Sequence, residues 1–124
     1  MPANVFVAVV DDDESAREAI VELVRALGYE ARGFASASEF LLSDDKQNVV
    51  CLVTDMRMPH MSGFQLHGEL AATGLRIPTI LVSAHEDDLT RIREMHTGIH
   101  FCLSKPLDPE KLLDCLRLAT GARG

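Results

Sequence analysis

No run in the sequence is long enough to cross a bilayer as a helix. A span needs about 20 apolar residues, and the longest runs here are about six. The first residues lack the basic region and long apolar core of a secretory signal. Cysteine is scarce: Cys51, Cys102 and Cys115 are odd in number and irregular in spacing, each set in apolar sequence. That pattern excludes a disulfide framework and reads as buried thiols in a reducing cytoplasm. Positive charge is in deficit, since 12 Lys and Arg against 19 Asp and Glu leave a net charge of −7. A domain so acidic is repelled by a phosphate backbone, so neither direct nucleic-acid binding nor membrane association is expected. Repeats, linkers and low-complexity segments are also missing. What is present is 124 residues, 47% hydrophobic and 25% charged, too apolar for disorder and sized for a single domain over 1–124.

The apolar runs alternate with helical patterns. Val5–Val10 is continuous, apolar and rich in β-branched residues, which suits a strand buried on both faces. After it, Ile20, Leu23, Val24 and Leu27 recur at helical spacing, and Gly28 is a natural stop. Tyr29–Phe34 reads as a short, more polar strand at a sheet edge, and Ser36 or Ser38 as the cap of a short helix holding Phe40. Ser43–Asn48 reads as a polar loop, followed by a second buried strand at Val49–Thr54. A loop carrying Pro59 leads to a helix from Ser62 to Thr73, closed by Gly74. Ile77–Ser83 is a third buried strand, with Pro78 near its start. His85–Thr97 reads as a helix closed by Gly98, and Ile99–Leu103 as the last strand. Asp108 as N-cap and Pro109 at the first helical position open a final helix with the stripe Leu112, Cys115, Leu116 and Ala119. Residues 120–124 read as a frayed tail. Five strands alternating with five helices predict an α/β, doubly wound, flavodoxin-like parallel sheet of order 2-1-3-4-5, which places the polar second strand at an edge.

In such a sheet, ligands bind at the carboxyl ends of the strands. The first buried strand is followed by Asp11, Asp12 and Asp13, the second by Asp55; the third ends in Ser83-Ala84, and the last leads to Lys105-Pro106. Topology therefore predicts three or four carboxylates, one hydroxyl and one ammonium around one pocket. Two like charges about 4 Å apart repel by roughly 4 kcal/mol at an effective dielectric of 20. Lys105 offsets part of this, and a divalent cation can offset the rest. Hard oxygen donors select Mg²⁺, or Mn²⁺, over zinc. Mg²⁺ takes one or two carboxylates plus a phosphate oxygen, so the pocket invites a phosphoryl group, which a carboxylate can itself accept as an acyl phosphate. Asp55 is the best-placed acceptor, with Ser83 and Lys105 holding phosphoryl oxygens.

These segments resemble the receiver domain of bacterial two-component response regulators, over about Val5 to Ala119. The matching pieces are Val9-Val10-Asp11-Asp12-Asp13, Thr54-Asp55-Met56-Arg57-Met58-Pro59 with Ser62-Gly63, Leu81-Val82-Ser83-Ala84, and Ser104-Lys105-Pro106. Each is weak singly, but all of them in order at strand ends are specific; the Asp55 segment is most similar to the subgroup of nitrogen-fixation regulators. The resemblance implies that Asp55 is phosphorylated and that Asp12 holds Mg²⁺ directly and Asp11 through water. It also implies that the backbone carbonyl of Arg57 adds a metal ligand, that Ser83 is the switch hydroxyl, and that Lys105 pairs with the phosphoryl group. A cis peptide is expected at Lys105-Pro106. Asp13 aligns with a variable acidic position and is read as a cap of the first helix.

The chain departs from the pattern at Cys102, where receivers carry a Phe or Tyr that swings inward on activation. Phe101 is one residue earlier and, by strand alternation, faces the other way. The reading adopted is signalling without a large aromatic rotor; the alternative is a local shift of the strand. Leu107 replaces the usual Phe after Lys-Pro as a packing change. Arg57, Ala84 and His85 flank the site as modulating positions, with Arg57 and His85 expected to overhang it and set the phosphoryl lifetime.

The implied function is a phospho-acceptor module charged by a histidine kinase or histidine phosphotransfer protein, not an enzyme beyond its own phosphorylation and dephosphorylation. It would switch the face of the last two helices and last strand toward a downstream protein or a phosphorylation-linked homodimer. The chain ends in Thr120-Gly-Ala-Arg-Gly with no helix-turn-helix, so a stand-alone module is expected, with the receiver half of a DNA-binding regulator as the alternative. A Mg²⁺-dependent phosphatase of the haloacid dehalogenase type also phosphorylates an aspartate, but it carries a second Asp where this chain has Arg57. Flavin or dinucleotide binding needs Gly or hydroxyl donors after the first strand, where this chain is triply acidic. His60, His67, His85, His96 and His100 share no zinc-like spacing. Met56, Met58 and Met61 read as packing around the acceptor loop, and Leu113, Leu118 and Met95 as a contact patch.

Overall fold

The computed structural model describes residues 5–94 and 101–121. Strand β1 (Phe6–Val10) leads through an acidic loop to α1 (Glu14–Ala26), β2 (Ala31–Phe34) and the short α2 (Ala37–Leu41). A 3-10 turn at Lys46–Asn48 precedes β3 (Val49–Asp55), α3 (Gly63–Ala72), β4 (Thr79–Ser83), α4 (Glu86–Glu94), β5 (Phe101–Ser104) and α5 (Pro109–Thr120). The five strands form one parallel sheet in the order β2-β1-β3-β4-β5, as the alternation predicts.

Every residue of β1 is buried, because alternate side chains enter two separate cores. Val7 and Val9 join Cys51, Val53, Ile80 and Val82 beneath α1 and α5, which contribute Ile20, Val24, Leu112 and Leu116. Phe6, Ala8 and Val10 join Leu52 beneath α2 and α3, which contribute Phe40, Leu66 and Leu70. The edge strand β2 is correspondingly polar, with Arg32 and Gly33 exposed.

Local chemistry sets the helix ends. Asp13 caps α1 by accepting from the Ser15 amide, so it serves the helix as its alignment implies. Ser36 caps α2, and Ser62 with Gln65 forms a reciprocal capping box on α3. Asp108 caps α5, which has Pro109 in its first turn. Past α1 and α3, Gly28 and Gly74 take positive φ values of 101° and 86°.

Some boundaries differ from the sequence pattern. β2 starts at Ala31 rather than Tyr29, and β4 at Thr79, after Pro78, whose carbonyl accepts the Leu52 amide at 2.8 Å. The expected polar loop at 43–48 winds into a 3-10 turn, with Lys46 Nζ donating to the carbonyls of Leu41 (2.6 Å) and Ser43 (2.7 Å). Helix α5 includes Thr120, the first residue of the expected tail, whose hydroxyl donates to the Leu116 carbonyl at 2.7 Å. Of the three expected buried thiols, only Cys51 is fully buried; Cys102 and Cys115 are half-buried. Met58 and Met61 pack against the α2–α3 core, as expected. Leu118 is exposed and Leu113 half-buried, while Met95, His96, His100 and the helix end expected at Thr97-Gly98 lie outside the described residues. Among the described residues, no helix is long and apolar enough to cross a membrane.

Candidate functional site

β1, β3 and β5 lie parallel, so the residues after their last apolar positions converge. Asp11 follows β1, Asp55 ends β3, and Lys105 follows β5. Asp11, Asp12 and Asp55 each place a carboxylate oxygen within 4.8 Å of the others. Lys105 Nζ stands 3.3 Å from Asp11 Oδ2 and 3.6 Å from Asp55 Oδ1. Asp11 is fully buried, Asp55 is partly buried and Asp12 is exposed. The acidic loop thus gives two of its three carboxylates to the site. Asp11 Oδ1 also accepts the Asp13 amide at 3.0 Å, which ties the loop to itself.

At that spacing each ionised pair repels by roughly 3–4 kcal/mol at an effective dielectric of about 20. The Asp55 carboxyl is raised above its ordinary value of 3.8. Burial is the largest cause, Lys105 opposes it, and Asp11 and Asp12 reinforce it. One lysine against three acids leaves a negative surplus. The donors are all oxygens, with one acid exposed and one partly exposed, and this set fits a hard divalent cation.

The chain around Asp55 is held closely. The Met56 amide donates to the Val82 carbonyl at 2.8 Å and the Gly63 amide to the Met56 carbonyl at 3.0 Å. Gly63 is needed there for space: a Cβ would lie 2.5 Å from the Asp55 carbonyl oxygen and 2.9 Å from Leu81 Cδ2. The Lys105 amide donates to the Ser83 carbonyl at 2.9 Å, and the Lys105-Pro106 peptide is cis, as expected.

Ser83 ends β4 and is buried, but its hydroxyl is not idle. It accepts the His85 amide at 3.0 Å and lies 2.9 Å from Asp88 Oδ2 and 3.3 Å from the His85 carbonyl. A hydroxyl has one proton, and the shorter, charged acceptor takes it. Asp88, in the first turn of α4, is itself buried and receives Arg57 Nε at 2.8 Å and Nη2 at 3.1 Å. Hydrogen bonding from Arg57 holds the Asp88 carboxyl below the ordinary carboxylate range, assisted by Ser83 and opposed by burial. The Arg57 side chain is thus engaged with α4, while the side chains of Ala84 and His85 are exposed beside the site.

Sequence reasoning missed Asp88. An acid in the first turn of a helix is ordinary, and Glu86 and Asp87 are equally acidic neighbours. Only the fold shows which of the three turns inward. Cys102 lies in regular register across from Leu81, and Phe101 packs against the α1–α5 core. The shifted-strand alternative therefore fails, and no aromatic ring occupies the usual rotor position.

An acidic pocket with one lysine at the carboxyl edge of a 2-1-3-4-5 sheet places the protein among the flavodoxin-like α/β modules. The response regulator receiver domain family matches residues 7–117, and the chain belongs to that family. Nodulation protein W of Bradyrhizobium diazoefficiens is 40% identical over 115 residues, covering 93% of this chain and 51% of that protein. The transcriptional regulatory protein FixJ of Azorhizobium caulinodans is 33% identical over 121 residues, covering 98% of this chain and 57% of that one. Among solved structures, FixJ-N superposes with a TM-score of 0.84 at 28% identity, covering 99% of this chain and 98% of that one. The response regulator StyR superposes with a TM-score of 0.81 at 40% identity, covering 93% and 58% of the two chains. The chain spans about half the length of the curated relatives it matches.

Proposed function

We propose that this receiver domain accepts a phosphoryl group on Asp55 from a phosphohistidine donor, a histidine kinase or a histidine phosphotransfer protein. The observation that carries the reading is the convergence of the Asp11, Asp12 and Asp55 carboxylates within 4.8 Å, with Lys105 3.6 Å from Asp55. In the transfer, an Asp55 carboxylate oxygen attacks phosphorus, the P–N bond breaks, and the imidazole leaves with the bonding pair and takes up a proton. Hydrolysis reverses the modification: water attacks phosphorus, the P–O bond to Asp55 breaks, and orthophosphate departs. Lys105 neutralises charge on the phosphoryl oxygens, and the Ser83 hydroxyl, once released from Asp88, donates to one of them. Asp11, Asp12, Asp55 and the Arg57 carbonyl would hold Mg²⁺ or Mn²⁺, which supplies charge neutralisation at the phosphoryl oxygens when bound.

An apolar cleft of about 490 Å³ between α1 and the Lys105–Leu107 segment, lined by Ala19, Ile20, Leu23 and Pro106, opens beside Lys105 and suits the docking of the donor's helical surface. Arg57 stands where a haloacid dehalogenase-type phosphatase would carry its general acid, so turnover of a separate substrate is not part of the proposal. Incubation with acetyl phosphate and Mg²⁺ tests the reading by intact-protein mass. One added phosphoryl unit is expected, absent in Asp55→Ala; steady hydrolysis of a generic phosphatase substrate without a labelled protein would favour the rival.

A further inference from the structure

Resting on the acceptor reading of Asp55, we infer that Asp88 is a positioning residue for the phosphoryl switch: its carboxylate holds the Ser83 hydroxyl and the Arg57 guanidinium in the unphosphorylated domain, and phosphorylation must draw Ser83 away from it. Three observations support this. The Ser83 proton is committed to Asp88 Oδ2 at 2.9 Å, and the His85 amide takes up a lone pair of the same hydroxyl at 3.0 Å. Asp88 and Ser83 are both buried, the Asp88 side chain being 6% exposed, so bulk water does not readily replace the hydrogen bond between them. Arg57 lies two residues beyond the acceptor and grips Asp88 through two nitrogens, linking the acceptor loop to the first turn of α4.

An aspartyl phosphate competes for the same two groups. Its oxygens are stronger anionic acceptors than a carboxylate already shared with Arg57, and the serine proton can serve only one acceptor at a time. Handing that proton from Asp88 to the phosphoryl group breaks one charge-assisted hydrogen bond and makes another, so the two arrangements lie close enough in free energy to act as a two-position element. Asp88 then keeps Arg57 alone, and the β4–α4 loop, whose His85 amide and carbonyl both face Ser83, must follow the hydroxyl. This gives the chain a coupling route to α4 that does not need a ring at Cys102.

The phosphoryl mimic beryllofluoride, added with Mg²⁺ to the whole chain, tests the inference by calorimetric titration and amide NMR. Removing the competitor in Asp88→Ala frees the binding-competent arrangement, and affinity is expected to rise about tenfold if the held state comprises about nine-tenths of molecules. The ligand-free Asp88→Ala amide shifts of His85 and the α4 first turn should move along the line joining free and bound wild type. Asp87→Ala controls for charge, since it removes an exposed neighbouring carboxylate, and its affinity should change less than about twofold. Equal gains in the two variants, or an unchanged affinity in Asp88→Ala, overturn the inference. If Asp88→Ala fails to fold, Asp88→Asn, which preserves volume, is read in its place: a gain above that of Asp87→Ala supports the role and none overturns it. Wild type that does not bind beryllofluoride at all overturns the acceptor reading itself, whereas binding that is insensitive to Asp88 overturns only this inference.

Discussion

At the scale of single residues, Asp55, the proposed acceptor, is held at a cost to the fold. Burial raises the Asp55 carboxyl above 3.8, Lys105 pulls it down, and Asp11 and Asp12 raise it further. A carboxyl raised on folding binds its proton more tightly in the native state than in the unfolded chain. Stability therefore falls as pH rises from about 3.8 through the raised value, and at neutral pH ionised Asp55 is destabilising. Asp55→Asn removes the charge while keeping the shape. In metal-free buffer at pH 7 it should be more stable than wild type by about 1 kcal/mol, a Tm higher by roughly 3–6 °C. The gain should shrink as pH falls through the raised native value and vanish below about 3.8, where wild type is protonated in both states. Thermal melts at the two pH values check this, and an Asp55→Asn variant no more stable at pH 7 would show the repulsion to be fully offset. Asp11, Asp12, Asp55 and Lys105 are legible in the sequence because each ends a strand or lies within two residues of one, and parallel topology brings strand ends together. Asp88 is not, because its inward turn depends on where α4 rests, which no spacing encodes.

At the scale of elements, the strands are the most legible part, since burial on both faces demands continuous apolar runs such as VFVAVV and VVCLVT. Helix starts read nearly as well, from Ser62, Asp108 and Pro109. Less legible is how tightly α3 abuts the Asp55 loop. Gly63, its first residue, leaves only 2.5 Å between a would-be Cβ and the Asp55 carbonyl oxygen, with Leu81 and Thr54 also close. The obstacle is backbone, so the helix or the Asp55 segment must shift to admit a methyl group. Gly63→Ala should destabilise the domain by about 1–3 kcal/mol and slow acetyl phosphate labelling, because the displaced atoms belong to Asp55, the proposed acceptor. Gly68, farther along the same helix, has open space around its would-be Cβ. Gly68→Ala should stabilise by about 0.5–1 kcal/mol through helix propensity and leave labelling unchanged. Urea unfolding midpoints at constant m separate the two outcomes. If Gly63→Ala were as well tolerated as Gly68→Ala, close approach would not be what glycine supplies at that position.

At the scale of the whole molecule, charge and topology act together. The chain carries a net −7, and its sheet gathers three carboxylates against one lysine at one edge. Two separate apolar cores lock β1, β3 and β4 in place beneath that edge, so the acids cannot spread apart without disturbing strands that are buried on both faces. A divalent cation held by such a pocket would be bound in the folded state alone, since an unfolded chain disperses the same ligands. Linkage then makes the ion a stabiliser of the entire domain: at a Mg²⁺ concentration ten times Kd the gain is about 1.4 kcal/mol, a Tm rise of roughly 4–8 °C. Chelation should return the Tm to its metal-free value. Asp12→Ala removes the exposed member of the cluster and should abolish most of the Mg²⁺ dependence without a large loss of metal-free stability, since an exposed acid contributes little to packing. Equivalent ionic strength supplied as a monovalent salt separates binding from screening, because screening softens repulsion between the acids but has no site to saturate. A Tm that rises equally with either salt, or a Mg²⁺ response that survives Asp12→Ala, would mean that the fold tolerates its crowded edge through Lys105 and solvent alone.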